Sequence, residues 1–153
     1  MGGIAGTELP LEQMKACKEF CFLLPGQGRG EKIKKEANLF FLSSDCAIRH
    51  PDLIAACDAV IGKVGYSTLA EVYQAGIPFA YISREWFRES RPLADFIARE
   101  MPSRPLTEEK FYTQNLSGML TRLCGLPGQD RDRKMESGAS VVANFLQGLC
   151  LKK

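Results

Sequence analysis

The chain has little of what would place it at a glance. Its 153 residues include one histidine and one tryptophan, and 20 basic residues against 18 acidic ones leave a formal charge of +2. So small an excess offers no basic surface for a nucleic-acid backbone. Its apolar runs are far shorter than the roughly 20 residues that cross a bilayer. The opening "MGGIAGTEL" lacks the basic head and apolar stretch of a signal peptide. The six cysteines (Cys17, Cys21, Cys46, Cys57, Cys124 and Cys150) form no C-x-x-C pair, and His50 alone leaves a zinc site short of its usual ligands. Neither a metal centre nor a disulfide frame is expected. Most of these cysteines sit in apolar segments and read as small hydrophobes in a reducing compartment, the cytoplasm.

What is present is ordinary globular composition, 45% hydrophobic and 25% charged, enough for one domain with a real core. "PLEQMKACKEF" (10–20) reads as a helix with proline in its first turn, and "FCFLL" (20–24) as a strand ended by "PGQGRG". "EKIKKEA" reads as a charged face, irregular or a single helical turn. "LFFL" (39–42), "DAVIG" (58–62) and "PFAYI" (78–82) are further strands, with helices at 50–57 and 67–75 between them. Leu93, Phe96 and Ile97 form one helical stripe within 91–100. Thr107, Glu108 and Glu109 open a longer helix striped by Tyr112, Leu116, Met119, Leu120 and Leu123. A last helix carries Val142, Phe145, Leu146 and Leu149 on one face. Short apolar strands alternating with helices predict an α/β fold, a Rossmann-like parallel sheet with flanking helices.

"MGGIAG" is a glycine-rich turn of the kind that follows a first strand, yet no strand precedes it. The expectation is a single domain over 1–153, cut from the C-terminal part of a longer protein. An open sheet position would then invite self-pairing into a homodimer.

The stretch "GKVGYSTLAE" (62–71) lies between a strand and a helix. The first amides of such a helix lack intrahelical partners and sit at the positive end of its dipole, which suits phosphate. Gly62 and Gly65 permit close backbone approach, Ser67 and Thr68 add hydroxyl donors, and the Glu71 carboxylate can accept from a vicinal diol such as a ribose. A plainer reading stands beside it. Thr68-Leu69-Ala70-Glu71 is also a capping box, in which Glu71 would bond the N–H of a Thr68 cap. The dinucleotide fingerprint G-x-G-x-x-G is absent.

Over "HPDLIAACDAVIGKVGYSTLAEVYQAGIPFAYI" (50–82) the chain resembles the donor-binding C-terminal half of GT-B glycosyltransferases. The nearest type adds N-acetylglucosamine to the peptidoglycan lipid intermediate. The glycosyltransferase-like region of L-arabinokinase-type sugar kinases is closer still in wording. Asp58 opens the strand, Lys63 is the basic residue, and Gly65, Tyr66, Ser67 and Thr68 form the turn and helix start. Glu71 is the family's glutamate, and Gly76-Ile77-Pro78 leads to the next strand. The resemblance implies a nucleotide-sugar, with UDP the expected nucleotide, bound as donor substrate without a further cofactor. The turn would hold the diphosphate, Glu71 the ribose, and an early loop at Gly2 and Gly3 would face the phosphates.

Two departures qualify it. Where the family carries a glutamine motif that reads the sugar, "SREWFRESRPLADF" has no glutamine, and Glu89 and Ser90 stand there instead. The family's acceptor side and usual base belong to an N-terminal domain not contained in these residues. No catalytic residue is therefore expected here, and glycosyl transfer would need that domain. The alternative is a non-catalytic ligand-binding or scaffolding module attached to another enzyme, such as a sugar kinase. His50, ahead of Pro51, reads as a capping or surface residue, the Arg84–Arg91 charge run mainly as a solvated face, and Trp86 and Phe87 as packing anchors.

Overall fold

The computed structural model describes residues 9–28, 32–84, 86–113, 115–128 and 138–150. In chain order the elements are α1 (Leu11–Ala16), β1 (Phe22–Gly28), β2 (Ile33–Glu36), β3 (Leu39–Ser43), α2 (His50–Ala55), β4 (Val60–Lys63) and α3 (Tyr66–Ala75). There follow β5 (Phe79–Ile82), α4 (Ser90–Glu100), β6 (Ser103–Pro105), α5 (Glu108–Thr113), α6 (Leu116–Cys124) and α7 (Gly138–Cys150). The fold is mixed α/β, and its fully parallel three-stranded sheet is flanked by helices.

The expected single sheet is corrected: the described strands form two, ordered β1-β3-β2 and β4-β5-β6. Hydrogen bonding leaves β1 and β4 each at an end. Phe22 N donates to Asn38 O at 2.9 Å, so Leu23 and Pro25 face away from β3, and Pro25 has no N–H to offer a further strand. Val60 N donates to Pro78 O and Val64 N to Ile82 O, each at 2.9 Å, which turns Ile61 and Lys63 away from β5.

Two further expectations are corrected. The charged 31–37 segment supplies β2, antiparallel to β3, because an outer strand can keep lysines in water while its backbone pairs. The helix expected from Thr107 onward is two helices. Thr107 Oγ1 accepts from Lys110 N at 3.1 Å and caps α5; Asn115 Oδ1 accepts from Gly118 N at 3.0 Å and starts α6 afresh.

β5 is central and buried throughout, with Phe79 wholly shielded from solvent. Burying a side chain of that size contributes about 2–3 kcal/mol. One core joins Leu24, Leu39, Ala80 and Ile82 to the inner face of α6 through Leu116, Met119, Leu120 and Leu123. A second packs Phe79 and Tyr81 against α3 and α4 through Leu69, Val72, Leu93 and Ile97. Phe96, expected on the α4 stripe, meets Tyr73 edge-on at 5.4 Å.

Gly76 closes α3 at φ 66, the left-handed conformation that glycine adopts without strain. The α7 stripe exists but is not buried: Val142, Phe145, Leu146 and Leu149 are all more than half exposed. Among the described residues no helix is long and apolar enough to cross a membrane, and the six cysteines are free thiols.

Candidate functional site

The site is built where β4 gives way to α3. Val64 is 1% exposed and anchors the turn. Gly65 follows in extended backbone, φ −168, as the helix cap. Its conformation is open to any residue; what its missing side chain gives is space. A Cβ there would meet only the Arg84 guanidinium, at 3.9 Å.

The capping-box reading is corrected as well. Because Gly65 is the cap, Thr68 falls at the third helical position, and no side chain caps α3. Thr68 instead packs toward the strand, its methyl 3.7 Å from where a Gly62 Cβ would lie. The first helical hydrogen bond runs from Leu69 N to Gly65 O at 2.9 Å. The amides of Tyr66, Ser67 and Thr68 precede it, and Tyr66 and Ser67 are exposed. Three amide donors at the positive end of a 10-residue helix thus precede its first hydrogen bond, beside a residue without a side chain.

Arg84, beyond the C-terminal end of β5, reaches back to this turn. Its Nη2 donates to Val64 O at 3.0 Å, and its guanidinium carbon lies 3.9 Å from the Phe87 ring centroid. Its Nε is buried without an acceptor among the described residues. A fixed cation therefore flanks the open amides, a combination that attracts an anion with more than one charged oxygen. The Arg84–Arg91 run reads mainly as a solvated face, but its place after the C-terminal end of a strand is the sequence signal that one or two of its members reach a ligand. Trp86 is 94% exposed and anchors nothing, which corrects that expectation.

Glu71 sits in the second turn of α3. Its Oε2 lies 2.5 Å from His50 Nδ1, with the two side chains 23% and 39% exposed. His50 is thus neither a cap nor an isolated surface residue, because α2 and α3 pack together and set the imidazole on the carboxylate. Lys63 points elsewhere: its Nζ pairs with Glu108 Oε1 at 3.0 Å, tying β4 to α5. Glu89 precedes α4 without a side-chain capping bond, and Ser90 is 4% exposed with its Oγ unpartnered among the described residues. Gly2 and Gly3 lie outside the described residues.

Gly65, the Tyr66–Thr68 amides and Arg84 therefore share one turn, with Glu71 and His50 one helical turn further on. No cluster of metal-ligating side chains occurs among the described residues. A cavity of about 330 Å³ lined by Lys15, Lys18, Lys35, Asn38 and Phe40 involves none of these groups.

Compared with known proteins, 62 residues, 40% of this chain, are 36% identical to L-arabinokinase of Arabidopsis thaliana. The match spans 6% of that protein's length. No protein-family model matches the chain, and no solved structure does.

Proposed function

We propose that this chain is a nucleotide-sugar-binding domain, with UDP as the nucleotide, from a glycosyltransferase-like protein. The observation that carries the reading is the uncapped start of α3 with the Arg84 guanidinium beside it. The amides of Tyr66, Ser67 and Thr68 and Arg84 hold the diphosphate, and Glu71 accepts from the ribose. Glu89, half-buried at the start of α4, faces the sugar, with Ser90 buried behind it. Lys63, committed to Glu108, contributes by its charge near the turn.

On this reading the chain is the C-terminal half of a GT-B architecture in a longer cytoplasmic protein. Transfer of the sugar requires an N-terminal acceptor domain, and the helix start then stabilises the departing diphosphate. The similarity to L-arabinokinase favours a second reading: a non-catalytic module that senses or scaffolds within a sugar kinase.

Calorimetric titration with UDP and UDP-sugars tests the binding shared by both readings. The expected result is one saturable site whose affinity falls when Arg84 is replaced. Absence of binding would sink it. Acceptor-dependent release of UDP by the full-length protein distinguishes the transferase from the module.

A further inference from the structure

We infer that the cavity lined by Lys15, Lys18 and Lys35, which shares no residue with the α3 turn, is a second binding site, for a small soluble molecule that carries a phosphate monoester. The inference stands apart from the nucleotide reading.

One amide fixes the walls of this cavity. Asn38 stands in the two-residue turn between β2 and β3, and its Nδ2 donates to Met14 O, Cys17 O and Phe20 O, each at 2.9 Å. Those carbonyls belong to α1 and the chain that leaves it, so the turn and the end of α1 are held against each other. Asn38 Oδ1 is shielded from solvent and offers the cavity no acceptor.

The walls bring cations together. Lys15 lies in the last turn of α1, Lys18 just beyond its end, and Lys35 on β2 directly opposite Phe40. The nearby carboxylates are committed: Glu12 to Lys15 at 2.9 Å, Glu36 to Lys34 at 2.6 Å, and Glu19 to the Ser117 hydroxyl. Among the described residues Lys18 and Lys35 have no carboxylate partner, and the Lys35 ammonium lies 5.2 Å from the Phe40 ring centroid. A plainer account covers part of this. The end of a helix suits Lys15, and an outer strand keeps lysines in water. Neither explains why lysines from two elements share one cavity while only Lys15 is paired with a carboxylate.

Among the described residues no arginine lines the cavity, so no planar fork selects a carboxylate. Ammonium groups act as point charges and suit a tetrahedral dianion. A phosphate monoester carries about two negative charges near neutral pH, which match the two unpaired lysines. Phe40 and Cys21 give the rest of the molecule an apolar seat, and about 330 Å³ is room for a small molecule.

The test uses the exposed thiol of Cys21, which lines the cavity, with exposed Cys150 as the control outside it. The whole chain is treated with iodoacetamide for timed intervals in phenyl phosphate, in inorganic phosphate, or in sodium chloride of matched ionic strength. Mass spectrometry reads both thiols. Phenyl phosphate at about ten times its dissociation constant should slow Cys21 by about tenfold and leave Cys150 unchanged. Inorganic phosphate should protect less at equal concentration. Replacing Lys18→Gln and Lys35→Gln together should abolish the protection, with the melting midpoint near that of the parent, whereas Arg84→Met should keep it. Absence of saturable protection, equal protection by sodium chloride, or protection that survives the double lysine change would overturn the site. Loss of protection in Arg84→Met would overturn it too, by moving the effect to the α3 turn. Equal protection by inorganic phosphate would overturn the ester. Protection by vesicles containing phosphatidic acid, with none from phenyl phosphate, would replace the soluble ligand by a lipid headgroup.

Discussion

The guanidinium carbon of Arg84 lies 3.9 Å from the centroid of the Phe87 ring, and the same group donates to Val64 O. One side chain thus joins the segment after β5 to the turn before α3. Arg84→Met keeps the length and removes the charge, the stacking and the bond to Val64. UDP affinity is expected to fall about tenfold or more, and stability by about 1–2 kcal/mol, because a carbonyl beside buried Val64 loses its donor. Arg84→Lys should restore only part of either, since an ammonium cannot both stack and fork. Calorimetry and urea unfolding read the two effects separately.

Glu71→Gln separates ligand binding from structure. The amide oxygen can still accept from His50 Nδ1, so the melting midpoint should stay near that of the parent. The lost charge weakens the bond to the ribose, and UDP binding should drop about tenfold. Equal binding by variant and parent would take Glu71 out of the site.

Three glycines are expected to differ sharply on replacement by alanine. A Cβ on Gly28 would sit 2.6 Å from Ser43 N, a backbone atom held in β3, so the β1–β3 pairing must shift. That substitution should cost about 2 kcal/mol or more. Gly76→Ala forces a left-handed cap and should cost about 1 kcal/mol. Gly65→Ala, in extended backbone with its nearest neighbour at 3.9 Å, should unfold like the parent. Denaturant midpoints of the three variants give the order directly.

Among the described residues the outer edges of β1 and β4 leave backbone groups unpaired within their sheets, which favours concentration-dependent self-association through them. The backbone groups of Leu23 point away from β3, and the residue is 36% exposed. Leu23→Lys should therefore reduce association in sedimentation velocity at little cost in stability. A parent that stays monomeric up to high concentration would discard the edge as a self-pairing surface.

The thiols should react in an order set by burial. Desolvation raises the pKa of Cys17 and Cys57, with a smaller push from Glu19 and Asp58 respectively. A raised thiol pKa means less thiolate at a given pH, so labelling of both should lag at pH near 8 and accelerate as pH rises. The exposed Cys21 and Cys150 should label first. Mass spectrometry after timed iodoacetamide treatment reads the order.

The strands β1, β3, β4 and β5 were legible because each carries a short apolar run, and α3 because a glycine turn precedes it and Gly76 follows it. β2 and β6 were not legible. The first is mostly charged, and the second is three residues including Pro105, so neither advertises burial. The capping box misled because S/T-x-x-E spacing does not say which residue leaves helical geometry, and here Gly65 does. The turn, its open amides and the place of Glu71 could be read from residue types in order. The contacts of His50 with Glu71 and of Arg84 with Val64 could not, since they join residues about 20 positions apart that meet only once the helices and strands pack.

β4 and β5 run in parallel with Lys63 opposite Ile82, so the segments leaving them emerge level with each other. Side chains alternate faces along a strand, so a slip of β5 by one residue against β4 would throw Arg84 to the opposite side of the sheet. The placement of Arg84 beside the start of α3 is accordingly keyed to the short connection into β5, on the far side of the core.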